Sequence, residues 1–142
     1  MSAAGLLALG GASAWAAEPI KIGAIVSATG NSSFLGDPQD KTLHLYVDRI
    51  NAAGGVLGRK LELVLYDDGS DPNKANTFVR RLILQDQVDA IIGPSTTGST
   101  LAVLPQADAA KIPMVSLAAG LVPSLQGKLR RRVSIDKSTD HA

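Results

Sequence analysis

The sequence predicts an α/β fold in which a parallel sheet carries helices on both faces. Short runs of β-branched and other apolar residues alternate with longer segments whose apolar residues recur at helical spacing. Glycine, proline, asparagine and aspartate punctuate the alternation. A chain of 142 residues has the length of one ordinary domain. A βαβαβαβ order of this kind builds parallel strands joined by right-handed crossovers.

Ile20-Lys21-Ile22-Gly23-Ala24-Ile25-Val26 reads as the first, buried strand. The small polar stretch from Ser27 to Ser33 is the loop behind it. Pro38 suits the first turn of a helix, where its missing N–H has no intrahelical acceptor to lose. Leu43, Tyr46, Val47 and Ile50 then fall at i, i+3, i+4 and i+7, on one helical face. Asn51-Ala52-Ala53-Gly54-Gly55 ends that helix, with glycine available for the left-handed cap. Leu61 to Tyr66 is a second strand, stopped by Asp67-Asp68-Gly69. Asp71-Pro72 starts the next helix, the aspartate as cap and the proline in the first turn. Ala75, Val79, Leu82 and Ile83 form its buried face. Val88 to Ile92 is a third strand, and Leu101, Val103, Leu104 and Ala107 suggest a third helix, bent or interrupted near Pro105. Ile112 to Ser116 is a fourth, short strand.

Composition removes several functions. The net charge is +1, which is no global signature of nucleic-acid binding. Cysteine is absent, which excludes disulfides, thiolate metal sites and a cysteine nucleophile. Aromatic residues are 4%, too few for a stacking platform. No G-x-G-x-x-G follows the first strand, and the glycine-rich Gly54–Lys60 segment follows a helix and lacks the Gly-Lys-Ser/Thr ending of a phosphate loop. His44 and His141 are too far apart in the chain to suggest a metal pair or a triad. Asp67, Asp68 and Asp71 allow a calcium reading, but a turn followed by a helix cap explains them as well. No cofactor and no metal site is expected.

The two ends differ from the body. Leu6 to Trp15 is apolar and uncharged, and Ala14-Trp15-Ala16 fits the small-x-small rule for signal-peptidase cleavage. Residues 1–16 are therefore expected to be an export signal, which places the mature chain in the periplasm or outside the cell, although no basic residue opens the segment. Leu125 to Ala142 is net +3 whereas Ala17 to Ser124 is net −2, so charge and pattern change together near Ser124. A basic end of this kind reads as solvated, the alternative being contact with anionic lipid or nucleic acid.

In open parallel sheets, ligands sit outside the carboxyl ends of the strands. The segments there are Ser27–Asp37, Asp67–Asp71, Gly93–Thr100 and Leu117–Gly120. Ser95, Thr96, Thr97, Ser99 and Thr100 form the densest hydroxyl cluster, between a strand and a helix. Free amides at a helix start, with hydroxyls beside them, hold a carboxylate without lysine or arginine; capping alone explains the same residues. Ala118, Ala119 and Gly120 are small enough for a ligand to reach the backbone, whose carbonyls accept an ammonium proton, or they form only a tight loop.

The segments "IKIGAIVSATGNSSFLG", "INAAGGVLGRKLELVLYDDGSDPNKA", "AIIGPSTTGSTLAV" and "IPMVSLAAG" together resemble the periplasmic substrate-binding proteins of ABC transporters, of the branched-chain amino-acid (Leu/Ile/Val-binding) type. The resemblance runs from about Pro19 to Ser124. It implies a type I periplasmic-binding fold, of which residues 17–124 would be a partial N-terminal ligand-binding lobe and 125–142 a basic tail unlike the family's continuation, as a truncation or a reading-frame change would leave. It implies a small-molecule ligand, an amino acid, amide or similar solute, and a membrane permease as partner. Ser95, Thr96, Thr97, Ala118, Ala119 and Gly120 are the expected ligand-binding residues, with Thr97 at the family's usual hydroxyl position and Ala118 and Ala119 at positions of backbone contact. Gly120 stands where amino-acid binders often carry threonine, and Leu35 where an aromatic often lines the pocket. These departures leave amides, urea-like compounds and aromatic acids open. A ligand-sensing domain of a receptor and an α/β enzyme are the competing functions, the enzyme disfavoured by the lack of a catalytic constellation.

Overall fold

The computed structural model describes residues 17–119. The expected signal segment, Gly120 and the basic tail lie outside them. The elements follow the expected order: β1 (Ile20–Val26), α1 (Ser33–Ala52), β2 (Leu61–Asp67), α2 (Pro72–Leu84), β3 (Ala90–Ile92), α3 (Thr97–Ala109) and β4 (Met114–Val115). All strand pairs are parallel, in the order β2-β1-β3-β4. The chain steps one way from β1 to β2 and the other way to β3 and β4. With crossovers of one hand, this puts α1 on one face and α2 and α3 on the other. Packing agrees, because α2 lies against α3 while α1 lies against β1 and β2.

Side-chain alternation along β1 sorts the core. Ile25 joins Ala75, Val79, Leu82, Val88, Ile91, Val103 and Ala107 in one buried cluster between the sheet and the α2–α3 pair. Tyr66 and Phe78 pack beside it, with rings stacked at 4.8 Å. On the α1 face, Leu43, Val47 and Ile50 are only half-buried. Tyr46, expected on the same apolar face, is 55% exposed.

Three local expectations need correction. Helix α1 begins at Ser33, so Pro38 lies inside it rather than in its first turn. The early turn forms because Gly36 presses against the carbonyl of Ser27, where a Cβ would lie 2.1 Å from that oxygen. Helix α3 runs without interruption through Pro105 to Ala109. The third and fourth strands are shorter than their apolar runs, since only Ala90–Ile92 and Met114–Val115 pair. By contrast, the start of α2 is as expected: Pro72 is its first residue and the Asp71 carboxylate accepts the Asn73 amide at 2.8 Å.

The amino ends of the strands are fastened separately. Asn51, at the end of α1, donates to the Leu61 carbonyl at 2.8 Å and accepts its amide at 2.7 Å. Arg59 reaches back to the carbonyls of Glu18, at 2.7 Å, and Pro19, at 3.3 Å.

Candidate functional site

Four parallel strands bring four loops to one sheet edge. Short polar side chains then lock these loops to one another. Asp67, the last residue of β2, accepts the Thr29 hydroxyl at 2.6 Å, the Thr29 amide at 3.1 Å and the Gly69 amide at 2.9 Å. Burial alone would raise the Asp67 pKa. The Thr29 hydroxyl and the amides of Gly69, Thr29 and Ala28 outweigh it and hold the carboxyl below its ordinary value. Ser70 completes the junction by donating to the Thr29 carbonyl and accepting the Ser32 amide.

Asp68 is wholly buried. Its carboxylate accepts the Ser27 hydroxyl at 2.6 Å, the Ser99 hydroxyl at 2.8 Å and the Ser70 amide at 2.9 Å. Three strand-end loops thus meet on one side chain. The aspartates read either as turn or as calcium ligands spend their oxygens on hydroxyls and amides. Among the described residues no three acidic or histidine side chains are grouped to hold a metal ion.

The expected ligand-binding residues divide into separate roles. Ser95 is turned inward and is 2% exposed. Its hydroxyl accepts the Ser27 amide at 2.9 Å and donates to the Gln39 side-chain oxygen at 2.5 Å, so its one proton is spent. Thr96 caps α3, its hydroxyl accepting the Ser99 amide at 3.3 Å. Thr97 is the first residue of α3 and Gly98, which is exposed, the second. Among the described residues no carbonyl or side chain takes up the Thr97 and Gly98 amides or the Thr97 hydroxyl. These donors open the helix where its dipole favours negative charge.

The loop after β4 is held beside that turn. Thr100 donates its hydroxyl to the Thr96 carbonyl at 2.9 Å, so across the 2.9 Å contact with Ser116 it must accept. The Ser116 oxygen in turn accepts the Ala118 amide at 3.2 Å, and the Leu117 amide donates to the Pro94 carbonyl at 3.2 Å. Ala118 is half-buried and Ala119 exposed, while Gly120 lies outside the described residues. Gly93, at the end of β3, permits a close approach to β1. Its φ is +102°, and a Cβ there would lie 2.0 Å from the Ile25 carbonyl oxygen. Beside the loop an open groove of about 220 Å³ is lined by Pro38, Gln39, Thr42 and Leu43 of α1 and by Leu117.

Sequence reasoning placed Ser27 and Asp68 at this edge but gave them no part in its polar network, and it left Gln39 out. The available signal was a serine or aspartate directly behind each of the first two strands. Their partners lie 31 to 68 residues away, beyond any local rule.

Known proteins carry the same architecture. The chain is 36% identical over 119 residues to Leu/Ile/Val-binding protein homolog 7 of Brucella suis, covering 84% of this chain and 29% of that protein. The structure is similar to the branched-chain amino-acid transporter substrate-binding protein LivJ of Streptococcus pneumoniae, solved with isoleucine, at a TM-score of 0.70 and 36% identity. That match covers 72% of this chain and 30% of LivJ. It is also similar to a solute-binding protein of an ABC transporter from Rhodopseudomonas palustris, solved with 3,4-dihydroxybenzoic acid, at a TM-score of 0.66 and 34% identity, covering 72% and 28% of the two chains. The chain therefore spans less than a third of the length of these relatives. The family model described as periplasmic binding protein matches residues 19–131, past Ser124 and into the basic stretch. With most of the chain matched and the parallel sheet shared, the chain belongs to the periplasmic binding protein family.

Proposed function

We propose that the chain supplies part of the first lobe of a solute-binding protein that delivers small polar solutes, amino acids foremost, to the membrane permease of an ABC importer. Amides and aromatic acids are the other candidate solutes. Residues 1–16 direct export on this reading, and binding takes place in the periplasm or outside the cell.

One observation carries the proposal: among the described residues nothing takes up the Thr97 and Gly98 amides or the Thr97 hydroxyl, at the strand-end edge where the loop after β4 is tied to the start of α3 through Thr100 and Ser116. Such donors suit a carboxylate, and the neighbouring carbonyls suit an ammonium group. A hydrogen bond to a charged group contributes about 1.5–3 kcal/mol net. A few of them must offset an association cost of at least ~4 kcal/mol. This lobe alone is therefore expected to bind in the millimolar range or weaker.

The test titrates the 142-residue chain, and a chimera carrying the remainder of LivJ, with L-isoleucine, L-leucine, their amides and 3,4-dihydroxybenzoate. Calorimetry should give weak binding for the short chain and tight binding of one ligand class for the chimera. Thr97→Ala should lower the chimera's affinity about tenfold or more. Micromolar binding by the short chain, or an unchanged Thr97→Ala chimera, overturns the reading.

A further inference from the structure

The proposed ligand contacts use nothing of Asp68, yet this buried carboxylate accepts three hydrogen bonds at the edge. It is wholly buried, and among the described residues no lysine, arginine or histidine pairs with it. Burying an unpaired carboxylate is costly unless hydrogen bonds replace its water. Here two hydroxyls and one amide do so. Ser27 approaches from the end of β1, Ser70 from the loop after β2, and Ser99 from the first turn of α3.

The Ser99 contact gives the arrangement its direction. Ser99 follows Thr97 and Gly98 immediately, and its own amide is capped by Thr96. With its side chain drawn to Asp68 and its amide held by Thr96, Ser99 fixes the rotation of the turn about the helix axis. That rotation decides where the Thr97 and Gly98 amides point.

Asp68 also reaches α1 indirectly. Ser27, which donates its hydroxyl to Asp68, donates its amide to Ser95, and Ser95 donates in turn to Gln39 of α1. Rotation of the α3 turn is thereby referenced to β1 and to the helix on the opposite face.

We infer that Asp68 is a positioning residue for the ligand edge: through Ser99 and Ser27 it sets the aim of the α3 first turn, without touching ligand itself. This rests on the reading of that turn as the carboxylate cradle. The acceptor capacity of Asp68 is what counts. Asparagine has nearly the same shape but replaces one acceptor oxygen by a donor, so one of the two serine hydroxyls must reverse or be lost.

The experiment reads amide signals of the full 142-residue chain by NMR, first without ligand, in the wild type and in Asp68→Asn, Ser99→Ala and Thr29→Ala. Thr29→Ala is the control, since it removes a hydroxyl from the adjacent Asp67 but leaves the Asp68 contacts intact. Asp68→Asn and Ser99→Ala should shift the Thr97 and Gly98 signals and speed hydrogen exchange at Ser99 and Thr100 about tenfold. Exchange in β1 should stay within about twofold of wild type, as should the α3 turn of Thr29→Ala. A uniform rise over the whole sheet in Ser99→Ala, or an equal response of the α3 turn to Thr29→Ala, overturns the inference. If Asp68→Asn fails to fold, the contrast between Ser99→Ala and Thr29→Ala decides alone. L-isoleucine is added afterwards as a separate arm. Its failure to move the Thr97 and Gly98 signals counts against the ligand reading and leaves the exchange result standing.

Discussion

The two faces of the sheet are built to different standards. Beneath α2 and α3, Ile25, Val79, Leu82, Ile91 and Val103 are all buried, and the helices pack on each other as well as on the strands. Beneath α1, Ala24 and Val26 of β1 are buried too, but within the helix itself only Gly36 is, and Leu45 is 48% exposed. Val115 of β4, on the same face by alternation from Ile91 and Met114, is 46% exposed. Among the described residues two helices cover the first face, whereas one helix against β1 and β2 leaves a groove toward Leu117 on the second. The difference teaches that buried helix surface is concentrated on the α2–α3 side, while α1 leaves more of its apolar surface open.

The sharpest way to break this comparison is to cut equal side chains from each face. Leu82→Ala should destabilise the chain by about 2–5 kcal/mol, the usual cost of a cavity in a closed core. Leu43→Ala, at a half-buried site, should cost about 1 kcal/mol. Urea unfolding of both variants measures the contrast, and equal losses would show that the α1 face is as tightly closed as the other.

A smaller effect compares the helix starts. Asp71 caps α2 through its side chain, whereas Ser32 at the same place on α1 makes no side-chain cap bond. Asp71→Ala should therefore cost about 1 kcal/mol, and Ser32→Ala should stay within about 0.5 kcal/mol. Thermal unfolding followed by circular dichroism separates them. A Ser32→Ala loss as large as that of Asp71→Ala would deny the asymmetry.

The smallest effect is a titration. The Asp67 carboxyl has a lower pKa folded than unfolded, so the unfolded chain binds its proton first as pH falls. The stability it contributes is complete above its unfolded value and fades below roughly pH 4, as pH drops toward the folded value. Thr29→Ala removes the hydroxyl bond that does most to hold that proton off and should flatten the stability profile below about pH 4. A profile of unchanged slope would mean that the Thr29–Asp67 lock contributes little.

Legibility followed the range of the interactions. The alternation of strand and helix, the Asp71-Pro72 start and the buried face of α2 are local patterns and could be read directly. Pro38 misled because a rule about first turns says where proline is welcome, not where the helix begins; the close approach of Gly36 to Ser27 decided that. The hydroxyl cluster at Ser95–Thr100 was visible, but its division of labour was not. Whether a serine faces inward, as Ser95 and Ser99 do, or leaves its neighbour's donors free depends on partners brought together only by the sheet. Asp68 looked like one more turn residue because Ser27 and Ser99 lie 41 and 31 positions away.

The central place of β1 has a mechanical consequence. It is flanked by β2 along its whole length and by β3 over Ile22–Ala24, and it enters the sheet just after carbonyls gripped by Arg59. Tension applied ahead of Glu18 therefore runs parallel to the strand. It must shear the rungs to β2 together rather than peel them one at a time, and the pull enters at the amino end of the sheet, opposite the strand-end loops.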